Sequence, residues 1–178
     1  PMNFQTDAIL EKCRSLGPVR TAVVHPAKPN VLLAVDEAVR AGLIDPVLIG
    51  PAGKTEAAAA EAGVSIAAWE VIDTEHSHAA AQKAAELAAS KRVDVIMKGS
   101  LHTDELLGAV VAASSGLRTA RRISHAYVMN IATYPKPFII TDAAVNILPD
   151  LAVKADIVQN AVDLWHVVFG DGAPAKVA

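Results

Sequence analysis

One cysteine, Cys13, stands in 178 residues, so no disulfide can form within the chain and a reducing cytoplasm is the expected setting. Aromatic residues make up only 4% of the sequence against a hydrophobic fraction of 52%, so any core must be built from Ala, Val, Leu and Ile. Positive charge is not in excess: the net charge is −3 and the pI about 6.1, which leaves no basic field for nucleic acid. No apolar run reaches the roughly 18 residues a membrane-spanning helix needs, and no charged-then-apolar leader opens the chain. The dinucleotide fingerprint Gly-x-Gly-x-x-Gly is absent, which argues against an ordinary nicotinamide site. There is no cluster of aspartates for a divalent ion, so neither a metal nor a metal-dependent decarboxylating dehydrogenase is expected.

What remains is the composition of parallel strands covered by Ala-rich helices, and the order of elements agrees. A first helix is predicted over Asn3–Leu16 and stopped by Gly17-Pro18; Cys13 lies on it without a neighbouring base and reads as a helix-face residue. Arg20–Val24 is a strand closed by His25-Pro26. Asn30 caps a helix to Ala41, and Val47–Ile49 completes a βαβ unit whose crossover should be right-handed. A helix from Lys54 to Glu61, a strand at Val64–Ala67 reaching toward Val71, and a long helix over Glu75–Lys91 follow. The fold class is α/β, a mostly parallel sheet with helices on both faces. A last helix runs from an Asp150 cap through Phe169, and Ala175-Lys176-Val177 begins a further strand. The mean hydropathy of +0.33 calls for some apolar surface to be covered by another domain or subunit.

Two patterns invite a stronger reading and fail it. Gly53-Lys54-Thr55 follows a strand, but a phosphate loop places its first glycine where Leu48 stands, so the stretch reads as a tight turn opening an exposed helix. His76 and His78 are two apart on a helix, point to different sides, and cannot chelate a metal together.

The stretch Val93–Asn146 carries the chemistry. Its three apolar runs, Val93–Met97, Ala126–Ile131 and Pro137–Ile140, break off into Lys98-Gly99-Ser100, Ala132-Thr133 and Thr141-Asp142. Buried strands with polar ends open on a cleft, and ligands bind outside those ends. Lys98, Gly99 and Ser100 precede a helix beginning near Thr103, whose positive end favours a phosphate, although Asp104 and Glu105 satisfy the same dipole. Arg121 and Arg122 suit bidentate contact with phosphate oxygens, but adjacent residues face opposite ways, so at most one is expected to reach the cleft and the other to lie on the surface. His102 and His125 flank these groups. Asp142 has three open readings: it takes a proton, orients an arginine, or caps the turn that holds Asn146.

These residues carry a resemblance. Lys98-Gly99-Ser100-Leu101-His102-Thr103, then Gly116-Leu117-Arg118-Thr119 with Arg121-Arg122-Ile123-Ser124-His125, then Thr141-Asp142-Ala143-Ala144-Val145-Asn146-Ile147 with Pro149-Asp150, together resemble the phosphate acetyltransferase/phosphate butyryltransferase family. His25-Pro26 and the segment 41–51 fit it too. The likeness runs from Arg20 to Phe169 and is greatest to the phosphate butyryltransferase-like branch, including the module fused behind MaoC-type enoyl-CoA hydratases.

The resemblance implies a fold like isocitrate and isopropylmalate dehydrogenases, two α/β domains around a cleft, and a cytoplasmic homodimer. It implies transfer of an acetyl or butyryl group from its coenzyme A thioester to phosphate, with the thioester as substrate and no cofactor. Lys98, Gly99, Ser100, His102, Thr103, Arg121, Arg122, Ser124, Thr141, Asp142 and Asn146 are then the candidates for holding acyl-CoA and phosphate, with Asp142 alone a catalytic candidate. The family's catalytic Ser, Arg and Asp lie far beyond the length of this chain. Residues 1–178 are therefore expected to be a truncated N-terminal domain, weak or inactive alone. The alternative is a non-catalytic module of the same fold that binds CoA or a partner.

Overall fold

Four short runs rich in β-branched residues, Val19–Val24 (β1), Ile44–Gly50 (β2), Glu70–Asp73 (β3) and Val95–Lys98 (β4), pair in parallel in the order β3-β2-β1-β4. They belong to a computed structural model that describes residues 4–131, 133–170 and 172–178. The register sets Val23 beside Leu48, and Val24 beside both Ile49 and Lys98. Successive side chains leave a strand on opposite faces, and the core divides accordingly. Ala22, Val24, Val47 and Ile49 face one side; Val23 and Leu48 face the other.

Each side is closed by helices. Pro29–Arg40 (α2) and Ala52–Ala62 (α3) bring Leu32, Val35, Ala58 and Ala59 onto Val23 and Leu48. Ser77–Ala89 (α4) and Thr103–Val111 (α5) bring Ala80, Ala81, Ala84, Leu87 and Leu106 onto the opposite face. Alanine-faced helices approach a sheet closely, which is why so few aromatics suffice. These elements form one compact unit, Cys13–Arg118.

The other unit comprises Thr119–Ala178 and the amino-terminal segment to Lys12, so the first helix, Phe4–Leu16 (α1), crosses the boundary. It contains Ala126–Met129 (β5), Phe138–Thr141 (β6) and the helix Leu151–Phe169 (α6). The Asp150 carboxylate accepts from the Val153 N–H at 2.8 Å and caps α6 as its sequence indicates.

Several expectations need correction. β5 and β6 are antiparallel, Ala126 opposite Thr141 and Met129 opposite Phe138, and form a separate two-stranded sheet. Eight residues, 130–137, join them, too few for the crossover a parallel pair requires. The carboxyl ends of β5 and β6 therefore lie at opposite ends of the hairpin, so Thr133 and Thr141-Asp142 do not share an edge; Ala132 falls outside the described residues, as does Asn3.

Val64–Ala67 is not a strand. Gly63 ends α3 in the left-handed conformation (φ +66°), and the Val64 N–H donates to the Ala59 carbonyl at 3.0 Å. Val64 thus folds under the helix end as a buried apolar plug, 8% exposed. α3 is not an exposed helix, since Thr55, Ala58 and Ala59 are buried. Lys28 rather than Asn30 stands at the start of α2, because Pro29 suits the first helical position. Residues 175–178 form no strand.

Candidate functional site

Chain order reverses between β1 and β4. From β1 the chain steps outward to β2 and β3, then returns across the sheet to lay β4 on the other side of β1. Such a reversal leaves a crevice at the carboxyl ends of the two strands, the usual ligand position in an open parallel sheet. His25-Pro26-Ala27 leaves β1 there, and Lys98-Gly99-Ser100 leaves β4.

A backbone clasp joins these two exits. The Gly99 N–H donates to the Val24 carbonyl (2.9 Å) and the Ser100 N–H to the His25 carbonyl (3.0 Å). Ser100 Oγ donates to the same His25 carbonyl (2.7 Å) and accepts from the Ala27 N–H (3.0 Å). A Cβ at residue 99 would stand 2.3 Å from the Val24 carbonyl oxygen, so glycine is required by the approach of the two backbones. The Lys98 ammonium donates to the Leu101 carbonyl at 2.8 Å and so keeps its charge over the turn into α5. His102 occupies the cap position of α5 without a capping side-chain bond, and Thr103 begins the helix. Lys98, Gly99, Ser100, His102 and Thr103 thus share one turn at the crevice, in an arrangement able to hold an anion. Asp104 and Glu105 line a groove of about 610 Å³ between α4 and α5, with His78, Gln82 and Glu86; its carboxylates suit no phosphate.

Sequence reasoning passed over other groups at this edge. Among the described residues the fully buried Thr55 Oγ1 has no partner, and Thr74 Oγ1, Glu105 Oε2 and His25 Nδ1 are likewise buried and unpaired. Burial lowers the pKa of the His25 imidazole and the Lys54 ammonium pushes the same way, against Ser100 and Glu105, so the ring is neutral at pH 7. A strand that stops at His25 beside a Gly-Lys-Thr turn was the available signal. His76 is a cap instead: its Nδ1 accepts from the Ala79 N–H at 3.2 Å.

The remaining candidates lie in the other unit, where most serve to hold its polypeptide. The Asp142 carboxylate accepts from the N–H groups of His125, Ala144, Val145 and Asn146 at 3.0–3.2 Å and from Asn146 Nδ2. Burial pushes its pKa up, but the bonds from Asn146, Ala144, Val145 and His125 outweigh it and hold the carboxyl at about 2. Of its three open readings, capping the turn is the one observed; the carboxylate is ionised at neutral pH and touches neither arginine. Thr141 Oγ1 donates to the His125 carbonyl (2.6 Å), and Asn146 Nδ2 also donates to the Ile123 carbonyl (3.0 Å).

The arginine pair divides. Arg121 is engaged with Asp163 and with Asn160 Oδ1, both on α6. Arg122 donates only its backbone N–H, to Asp156 (2.9 Å), and among the described residues its exposed guanidinium has no partner. Ser124 Oγ accepts from Asn160 Nδ2 (2.8 Å). Among the described residues no group of three His, Cys, Asp or Glu could hold a metal ion, and no helix is long and apolar enough to cross a membrane.

The α/β fold described here is shared with solved phosphotransacylases. It superimposes on a phosphotransacetylase from Streptococcus pyogenes with a TM-score of 0.78 over 94% of this chain and 60% of that one, at 14% identity. A branched-chain phosphotransacylase from Enterococcus faecalis V583 matches with a TM-score of 0.65 over 82% of this chain and 50% of that one, at 26% identity. The family model described as phosphate acetyl/butaryl transferase matches residues 76–177, and the chain belongs to that family.

Curated relatives agree. The sequence is 54% identical over 163 residues to a phosphate acetyltransferase of Rickettsia typhi, covering 92% of this chain and 47% of the relative. It is 31% identical to a phosphate butyryltransferase of Clostridium acetobutylicum, covering 90% of this chain and 53% of the relative. The chain spans about half the length of the curated relatives it matches.

Proposed function

We propose that this chain carries one part of a phosphate acyltransferase site, at which the acyl group of an acetyl- or butyryl-CoA passes to inorganic phosphate, giving an acyl phosphate and free CoA. The observation that supports it best is the β1/β4 crevice. There Ser100 and Gly99 are clasped to the end of β1 while Lys98 keeps a positive charge beside the uncapped start of α5. This turn lies within the stretch matched by the family model, as do all the other candidates.

The chemistry suits such groups. Phosphate must shed water and be held beside a thioester carbonyl, which fixed cations and amide donors accomplish. The tetrahedral oxyanion then needs donors aimed at it. In this reading Lys98, Gly99, Ser100, His102 and Thr103 hold one anionic group. Arg122 is the arginine available to a second, and Thr141, Asp142 and Asn146 keep the turn beside it in shape. The thioester is a substrate and no further cofactor is needed. We read residues 1–178 as an amino-terminal portion of a homodimeric cytoplasmic enzyme, whose remaining catalytic groups belong to polypeptide outside this sequence.

The test is made on the chain itself. Calorimetry is expected to show binding of CoA and of phosphate, with phosphate or CoA binding weakened by Arg122→Met. CoA release from acetyl-CoA or butyryl-CoA in phosphate is expected to stay near background. Binding of neither ligand would overturn the reading, and robust turnover by these residues alone would overturn the claim that the site is partial.

A further inference from the structure

Residue 25 is held in a conformation that side-chain-bearing residues rarely adopt. Its φ is +54°, in the left-handed region. Four hydrogen bonds keep it there: its N–H donates to the Ile49 carbonyl (2.6 Å), and its own carbonyl accepts from the Ala27 N–H, the Ser100 N–H and Ser100 Oγ. Both neighbouring strand exits make room for it. A Cβ on Gly50 would lie 3.2 Å from His25 Cα, and one on Gly99 would lie 2.7 Å from the His25 carbonyl oxygen.

The imidazole so presented is half-buried, and its buried Nδ1 has no partner among the described residues. The Ser100 backbone also acts on the ring, and the unpaired Nδ1 is left to a donor arriving with a ligand. The charged groups acting on the ring are Lys54 from α3 and Glu105 from α5. Lys98 is turned onto the Leu101 carbonyl, whereas the exposed Lys54 ammonium has no partner among the described residues. Thr55, the next residue of α3, buries its own unpaired hydroxyl near Gly50, where a Cβ would stand 3.7 Å from Oγ1.

A nitrogen lone pair beside a free ammonium suits a ligand bearing both negative charge and a proton. Hydrogenphosphate has both, while sulfate, equal in shape and charge, has no proton to donate at neutral pH. A site built to pair with a ligand's O–H rejects the analogue that lacks it, since its own polar group is then left unsatisfied. We propose that His25 and Lys54 form a seat that recognises hydrogenphosphate by its proton, the ring nitrogen accepting the P–OH while the ammonium takes the charge of the other oxygens.

This rests on the phosphate acyltransferase reading and gives it a specificity residue. The proton concerned is the one the reaction must move. As a phosphate oxygen bonds to the carbonyl carbon and the C–S bond breaks, the P–OH proton leaves phosphate and the thiolate takes up one proton. The balance closes without an outside acid, and His25 is the positioning residue for that proton.

The experiment follows the imidazole nitrogens of the whole chain by long-range ¹H–¹⁵N NMR, during titration with sodium phosphate and, at equal ionic strength, sodium sulfate. Phosphate is expected to move the His25 resonances saturably and to fix one tautomer, while sulfate binds about tenfold more weakly. His25→Gly, which keeps the left-handed turn because glycine adopts it freely, should bring the two affinities together. Lys54→Met should weaken both anions alike. If phosphate and CoA bind by calorimetry while the His25 signals stay still, or if His25→Gly keeps its preference for phosphate, this proposal falls alone. If neither ligand binds, the acyltransferase reading falls with it. The wild-type titration decides the matter even if a variant fails to fold.

Discussion

The two ends of the parallel sheet are finished in opposite ways. At the amino end two cations meet two carboxylates across the strands. Arg20 on β1 bonds Asp45 on β2 (2.5 Å) and Glu70 on β3, and Arg92, just before β4, reaches the same Glu70 at 3.2 Å. At the carboxyl end His25, Thr55, Thr74 and Glu105 each bury a polar atom without a partner. A buried polar group left unsatisfied costs stability, so one end of the sheet is closed by its own charges while the other, where the proposed seat lies, keeps polar atoms unsatisfied.

Three substitutions test this contrast, beginning with the largest effect. Gly99→Ala forces a Cβ to within 2.3 Å of the Val24 carbonyl, where only backbone can give way. It should cost about 2–3 kcal/mol in urea unfolding and loosen the Ser100 clasp. A loss below measurement would show that the two strand exits are not rigidly joined. Thr55→Val replaces an unpaired buried hydroxyl by a methyl group of the same shape. It should stabilise the unit by about 1 kcal/mol while weakening phosphate binding; a loss of stability would mean that the hydroxyl is satisfied within the chain. Arg20→Met removes the cation shared by Asp45 and Glu70. Because those side chains are a third to a half exposed and water screens them, it should cost no more than about 1 kcal/mol, diminishing as salt is added, and leave phosphate binding unchanged. A change in ligand affinity would show that the two ends are not separable.

Much of this end of the molecule was legible in the sequence. The runs Arg20–Val24 and Val47–Ile49 announce themselves by apolar residues on both faces, though β2 begins three residues earlier, at Ile44; Lys98-Gly99-Ser100 could be placed at a strand end by the break in the run alone. The hairpin of β5 and β6 was harder, because four-residue strands with half-exposed faces look the same in parallel and antiparallel pairings. The short connection 130–137 was the readable signal. Asp142 shows a different limit. An aspartate after a strand can take a proton, orient an arginine or cap a turn, and the cap is visible only in the positions of four amides and Asn146. His25 was read as the end of a strand and as part of the resemblance but not as a site residue, because its positive φ and the glycines brought beside it by two other strands are not local in sequence. The arginine pair divides on the placement of α6, with Asp163 and Asn160 some forty residues away.

The clasp that fixes residue 25 has a consequence of its own, because all four of its bonds there use the main-chain N–H and carbonyl of that residue and none uses the ring. Position 25 is thus a socket whose walls do not depend on what is plugged into it. Any side chain that tolerates the left-handed turn can be exchanged there with the frame intact, so that a descendant could alter the anion it prefers by changing one codon.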